Sequence, residues 1–124
     1  MKRYNKDLGD FGEKCAVEYL KENDYKVLEE KYYTRQGEID VIALDNDTLA
    51  FVEVKTRTSD KFGSPAEAID NKKIEHMVST ANLYLLKTEF DYEVRFDVIE
   101  VYANIIGNEL FLSEINHIKG IDID

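Results

Sequence analysis

GEIDVIALDNDTLAFVEVKTR, residues 37–57, decides how this chain folds. From Gly37 to Leu44 the side chains alternate. Ile39, Val41 and Ala43 fall on one face, and Glu38, Asp40, Ile42 and Leu44 on the other. From Leu49 to Arg57 the period repeats, with Ala50, Val52, Val54 and Thr56 opposite Leu49, Phe51, Glu53, Lys55 and Arg57. Between them lies the turn cluster Asp45-Asn46-Asp47-Thr48. A two-residue loop at Asn46-Asp47 predicts a hairpin in which Thr48 faces Asp45, Leu49 faces Leu44 and Phe51 faces Ile42. The same register sets Glu53 against Asp40 and Lys55 against Glu38. A one-residue slip would send Asp40 and Glu53 to opposite faces.

Two carboxylates across a ladder lie roughly 4.5–5.5 Å apart at Cβ and repel. At an effective dielectric of about 20 the cost is roughly 3 kcal/mol. Protonation of one acid removes it, and so does a cation held between them. Asp and Glu oxygens suit a hard divalent ion, Mg2+ or Mn2+. Lys55 shares the face, where it can orient a water or meet charge developing on a phosphate. The competing reading is an ion-pair patch in which Lys55 neutralises Glu53 or Glu38. Against it stand Ile42, Leu44, Leu49 and Phe51, which mark the same face as partly buried, where an unpaired charge is costly.

Outside this hairpin the chain is ordinary. With 124 residues, 44% hydrophobic and 34% charged, it has the size of one compact domain, spanning residues 1–124, with a real core. No apolar run approaches the roughly 20 residues of a membrane span. The start, MKRYNKDLGD, lacks the apolar stretch of a secretory signal, and one cysteine excludes an internal disulfide. The expected compartment is the cytoplasm. A net charge of −10 argues against a general polyanion binder. It leaves room for a nuclease, because a metal neutralises carboxylates locally. Lys2, Arg3 and Lys6 at the start, and Arg35, Arg57, Lys61, Lys72 and Lys73 nearer the hairpin, supply basic groups. Residues 77–124 hold 3 basic and 9 acidic side chains and are poorly suited to lie along phosphates.

A helix capped by Asn5 or Asp7 is expected to run to about Asn23, with the stripe Leu8, Phe11, Cys15, Tyr19 and Leu20 and with Ala16 beside it. Cys15 reads as core filler. Glu13 lies at the stripe's edge, either solvated or reaching toward a packed sheet. Tyr25–Tyr33 is expected as a first strand, antiparallel to the next, with a turn at Arg35-Gln36-Gly37. After a loop over Thr58–Gly63, Ser64-Pro65-Ala66-Glu67 has the form of a helix start, with Asp70 a second candidate cap. Ile74, Met77, Val78, Ala81 and Leu85 form that helix's apolar stripe. Strands are expected over Glu93–Tyr102 and Glu109–Ser113, about a turn at Gly107-Asn108. A strand–helix–strand crossover makes the third and fourth strands parallel. The fold class is therefore α/β, an αβββαβ core with a mixed sheet flanked by helices. No HExxH, paired CxxC, GxGxxG or GxxxxGK[ST] occurs, so zinc, dinucleotide and NTP sites lack support. Arg95 and Asp97 read as a local ion pair, and Tyr32 and Tyr33 either as core or rim residues or as platforms for stacked bases.

GEID at Gly37–Asp40, FVEVKTR at Phe51–Arg57 and FGSPAEAI at Phe62–Ile69 together resemble the YraN-like family of predicted endonucleases. Gly12-Glu13 and RFDVIEV at Arg95–Val101 also agree, and the resemblance covers about residues 8–118. That family is placed in the PD-(D/E)XK nuclease superfamily, with restriction-endonuclease-like and Holliday-junction-resolvase-like folds. The resemblance implies a magnesium-dependent endonuclease, a hydrolase acting on phosphodiester bonds of nucleic acid, DNA ahead of RNA. It implies Asp40 and Glu53 as metal ligands with the Val54 carbonyl, Glu13 as the completing carboxylate, and Lys55 as the catalytic lysine. Arg35, Arg57, Lys72 and Lys73 are then the candidate phosphate contacts. Where relatives often carry an arginine-rich helix start, this chain has NKKIEHMVST. That difference and the acidic balance keep a second expectation open: a non-catalytic nucleic-acid-binding or assembly module with the same fold. A homodimer and a protein partner both stay open.

Overall fold

A computed structural model describes residues 2–58, 71–89 and 91–123. The elements are α1 (Lys2–Glu22), β1 (Lys26–Thr34), β2 (Gly37–Asp45), β3 (Thr48–Thr58), α2 (Asn71–Thr88), β4 (Glu93–Ile106) and β5 (Glu109–Ile118). The strands form one sheet in sequence order, antiparallel except for the parallel pair β3–β4. This is the expected αβββαβ arrangement, with β5 added at the far edge, and it is consistent with a restriction-endonuclease-like fold. Residues 59–70, on which the expected loop end, the Ser64-Pro65 helix start, the Asp70 cap, Lys61 and the FGSPAEAI motif fall, lie outside the described residues.

Each face of the sheet is covered by one helix. Ala16, Val17 and Leu20 of α1 pack on Val41, Ala43, Ala50, Val52, Ile99 and Val101. Met77, Ala81 and Tyr84 of α2 pack on Ile39, Ile42, Leu49, Phe51 and Phe96. Cys15 leans on the first cluster as filler, and burial raises its thiol pKa. Phe51 stacks on Phe96 at 5.5 Å and meets Tyr84 edge-on, as does Tyr32 at 5.1 Å. Tyr32 is therefore a core-rim residue, whereas Tyr33 is exposed.

The hairpin register is the one read from the turn. Asp45 pairs with Thr48, Leu44 with Leu49, Ala43 with Ala50, Ile42 with Phe51 and Val41 with Val52. Asn46 takes the left-handed conformation, with φ 54°, that a tight hairpin requires. Two expectations need correction. The ladder stops at Val41–Val52, so Asp40–Glu53 and Glu38–Lys55 do not continue it. The β2 alternation also slips. Ile39 packs with Ile42 under α2 while Val41 packs with Ala43 under α1, so Ile39 and Val41 do not share a face. The slip falls at Asp40, opposite Lys31, whose φ is 51°.

The last two strands are longer than expected. β4 and β5 run to Ile106 and Ile118 rather than Tyr102 and Ser113, and α1 starts at Lys2 rather than after Asn5 or Asp7.

Candidate active site

The strands β2 and β3 part at Asp40, and a cleft of about 390 Å³ opens there. Leu8, Gly9 and Glu13 line it from α1, Asp40 from β2, and Glu53 to Thr56 from β3. Gly12 brings α1 this close. A Cβ on Gly12 would collide with the Thr56 side chain, so only glycine lets the helix rest on β3 at this turn. Glu13, the next residue, is carried to the cleft by that contact.

Asp40 is 8% exposed and Glu53 4%. The Val54 N–H, released from the ladder, donates to Asp40 Oδ2 at 2.7 Å. Burial first, and the negative charge of Glu53 next, push the Asp40 carboxyl up to about 7, against the pull of the Val54 N–H. On Glu53, Oε2 lies 3.8 Å from Lys55 Nζ and 3.4 Å from Lys73 Nζ. Oε1 is buried and has no hydrogen-bond partner. A buried carboxylate oxygen in that state is costly until a proton or a cation meets it.

Glu13 reaches the cleft but is already engaged, its Oε1 2.8 Å from Lys31 Nζ. Burial raises its pKa, the Lys31 hydrogen bond lowers it, and the Asp40 charge raises it again. Among the described residues no three His, Cys, Asp or Glu side chains form a ready metal cage. The geometry thus brings Asp40, Glu53, Val54 and Lys55 together and leaves Glu13 beside them, tied to a lysine.

The candidate phosphate contacts divide. Lys73 comes over from α2 to Glu53, a role the sequence did not indicate, because the helix phase alone does not fix which strand residue it reaches. Lys72 is exposed on α2, and Arg35 is exposed in the β1–β2 turn. Arg57 follows Lys55 along β3 and is partly buried, with Nε and Nη2 unpaired.

Away from the cleft, Asp97 is fully buried among Arg95, His117 and the Gly120 N–H, at 2.8–3.0 Å. Arg95 also binds Asp45 and the Tyr25 hydroxyl, and Tyr19 meets His117. The expected Arg95–Asp97 pair is real, but it belongs to a network that fastens β2, β4, β5, α1 and the segment after β5.

A five-stranded mixed sheet with a helix on each face, and an acid pair flanked by lysines where two strands part, defines the class of protein. The chain belongs to Uncharacterised protein family UPF0102, the YraN-like family, whose profile matches residues 12–101. It is 47% identical over 120 residues to a UPF0102 protein of Caldanaerobacter subterraneus, covering 95% of this chain and 97% of that one. It is 51% identical over 100 residues to a UPF0102 protein of Alkaliphilus oremlandii, covering 78% and 86%. A third relative, from Acetivibrio thermocellus, is 43% identical over 120 residues, covering 95% and 92%. Among the described residues no helix is long and apolar enough to cross a membrane.

Proposed function

We propose that this protein is a divalent-metal-dependent endonuclease that hydrolyses phosphodiester bonds of nucleic acid, with DNA the first substrate to test. One observation carries the reading: Glu53 Oε1 is buried and unpaired beside Asp40, a carboxyl that burial and Glu53 together hold near 7. Two hard oxygen donors that repel each other in a cleft suit Mg2+ or Mn2+. Asp40, Glu53 and the Val54 carbonyl are the groups to hold it, and Glu13 is the nearest further carboxylate.

A divalent ion bound there supplies Lewis acidity to water and neutralises charge on the phosphate. Lys55 orients the attacking water and donates to the phosphate oxygens as charge builds on them. The water oxygen bonds to phosphorus, the P–O ester bond breaks, and the leaving oxygen takes a proton. Arg57, Lys72, Lys73 and Arg35 are the basic groups proposed to contact neighbouring phosphates.

The test is calorimetry with Mg2+ and Mn2+, followed by nicking assays on duplex, junction, flap and RNA substrates. Asp40→Asn is expected to lose the ion and Lys55→Ala to lose cleavage. Cleavage at the wild-type rate in both variants defeats the proposal. The second reading is a non-catalytic nucleic-acid-binding or assembly module. It is favoured by the net charge of −10 and by the sparsely basic helix start NKKIEHMVST. It predicts salt-dependent binding or a protein partner, with no turnover in any metal.

A further inference from the structure

Lys31 lies on the edge strand β1 directly opposite Asp40, because its neighbours Glu30 and Tyr32 pair with Val41 and Ile39. Its φ of 51° is left-handed, in the middle of a strand. A lysine gains nothing locally from that conformation, unlike Asn or Asp. Such residues persist where the surroundings over-determine them, and they gather at functional sites. Here the consequence is visible on the facing strand, where the alternation slips at Asp40.

The side chain has its own task. Nζ lies 2.8 Å from Glu13 Oε1 and 3.5 Å from Asp10 Oδ1, two acids one turn apart on α1. Glu13 feels the like charge of Asp40. Without a local cation it would turn away to solvent, which it can reach.

We propose that Lys31 is a positioning residue for the metal centre, holding Glu13 over the cleft by one oxygen and leaving the other for the ion at Asp40 and Glu53. This rests on the metal-centre reading above and extends it. Outer hydrogen-bond partners orient ligand carboxylates and commonly set affinity by 10–100-fold, so a half-exposed lysine on an edge strand can matter to an ion it does not touch.

The test is Mn2+ and Mg2+ calorimetry on wild type, Lys31→Met, Lys31→Arg and Lys31→Gly, with circular dichroism to check folding. Lys31→Met is expected to weaken Mn2+ binding by roughly tenfold or more, and Lys31→Arg to restore most of it. Lys31→Gly keeps the backbone turn and removes the ammonium. It is expected to bind as weakly as Lys31→Met while melting no lower than wild type. Unchanged or tighter binding in folded Lys31→Met and Lys31→Gly overturns the role of Lys31 alone, since the ammonium would then be idle or a competitor. A wild type that binds neither ion overturns the metal centre itself, and this proposal with it.

Discussion

The Val54 N–H donates to Asp40 Oδ2 across 2.7 Å, in place of the Ile39 carbonyl it would meet if the β2–β3 ladder ran on past Val41–Val52. A backbone donor that leaves a sheet must be satisfied elsewhere. Here it is satisfied by the Asp40 carboxylate, so the parting of the strands and the placement of that carboxylate are one event.

Asp40→Asn separates charge from shape. The amide oxygen can still accept from Val54, so the fold should survive, and the repulsion with Glu53 goes. The variant is expected to melt at or above the wild type without metal. Wild type in excess Mg2+ should gain several degrees, since an ion at a hundred times its Kd stabilises by about 2.7 kcal/mol. Asp40→Asn should gain almost nothing. Thermal melts with and without Mg2+ check both halves, and an equal shift in the variant would move the ion elsewhere.

The contact between Gly12 and Thr56 predicts a steric cost. Replacing a helical glycine by alanine ordinarily gains up to about 1 kcal/mol. Here the new methyl meets Thr56, and overpacking typically costs about 1–3 kcal/mol. Gly12→Ala is therefore expected to destabilise, and Gly12→Ala with Thr56→Ala to recover part of the loss. Urea unfolding of the double-mutant cycle measures the coupling. Additive effects would mean that the helix does not rest on Thr56 in solution.

Much of this architecture was legible because a tight turn fixes everything that follows it in a ladder. Asn46-Asp47 set five strand pairs, and the faces of Phe51, Val52 and Ala50 came with them. The legibility ended where the backbone broke period. A left-handed lysine has no composition mark, so the slip opposite Lys31 leaves no trace in the sequence, and strict alternation puts Ile39 on the wrong face. The cleft residues survived that error because Asp40 and Glu53 are neighbours whether the ladder pairs them or the Val54 bond does. The Asp97–His117 contact joins residues on β4 and β5, and reading it required the full length of β5, which local pattern ended at Ser113. Lys73 depended on a helix docking that helical periodicity does not specify.

Asp97 makes an acid-stability prediction. Its burial would raise the carboxyl pKa, but bonds from His117, Arg95 and Gly120 outweigh that and hold it at about 2, below the ordinary 3.8. A folded-state pKa below the unfolded one means stabilisation that is complete above about 4 and is lost as pH falls toward 2. The contribution is on the order of 2 kcal/mol. Asp97→Asn should lower stability at neutral pH and flatten its fall between pH 4 and pH 2, as followed by urea midpoints across that range. An unaltered slope would show that other carboxylates govern the acid transition.

Lys55 and Lys73 both lie on Glu53 Oε2, which makes them alike in electrostatics and different in placement. Each ammonium is about a third exposed, with side chains at 32% and 38%, so solvent screens it. Either lysine alone is expected to contribute less than about 1 kcal/mol to stability. Removing both leaves a side chain with only 6% exposure without these two ammonium groups, so the double variant should lose more than the sum. Cleavage should divide them in another way. Lys55 lines the cleft and Lys73 does not. Lys55→Ala is therefore expected to abolish nicking, and Lys73→Ala to keep a reduced rate with a raised KM. Single-turnover assays in Mg2+ beside urea titrations supply both readouts. A Lys73→Ala enzyme as dead as Lys55→Ala would place the chemistry on the helix side of Glu53 and remove Lys55 from its assigned role.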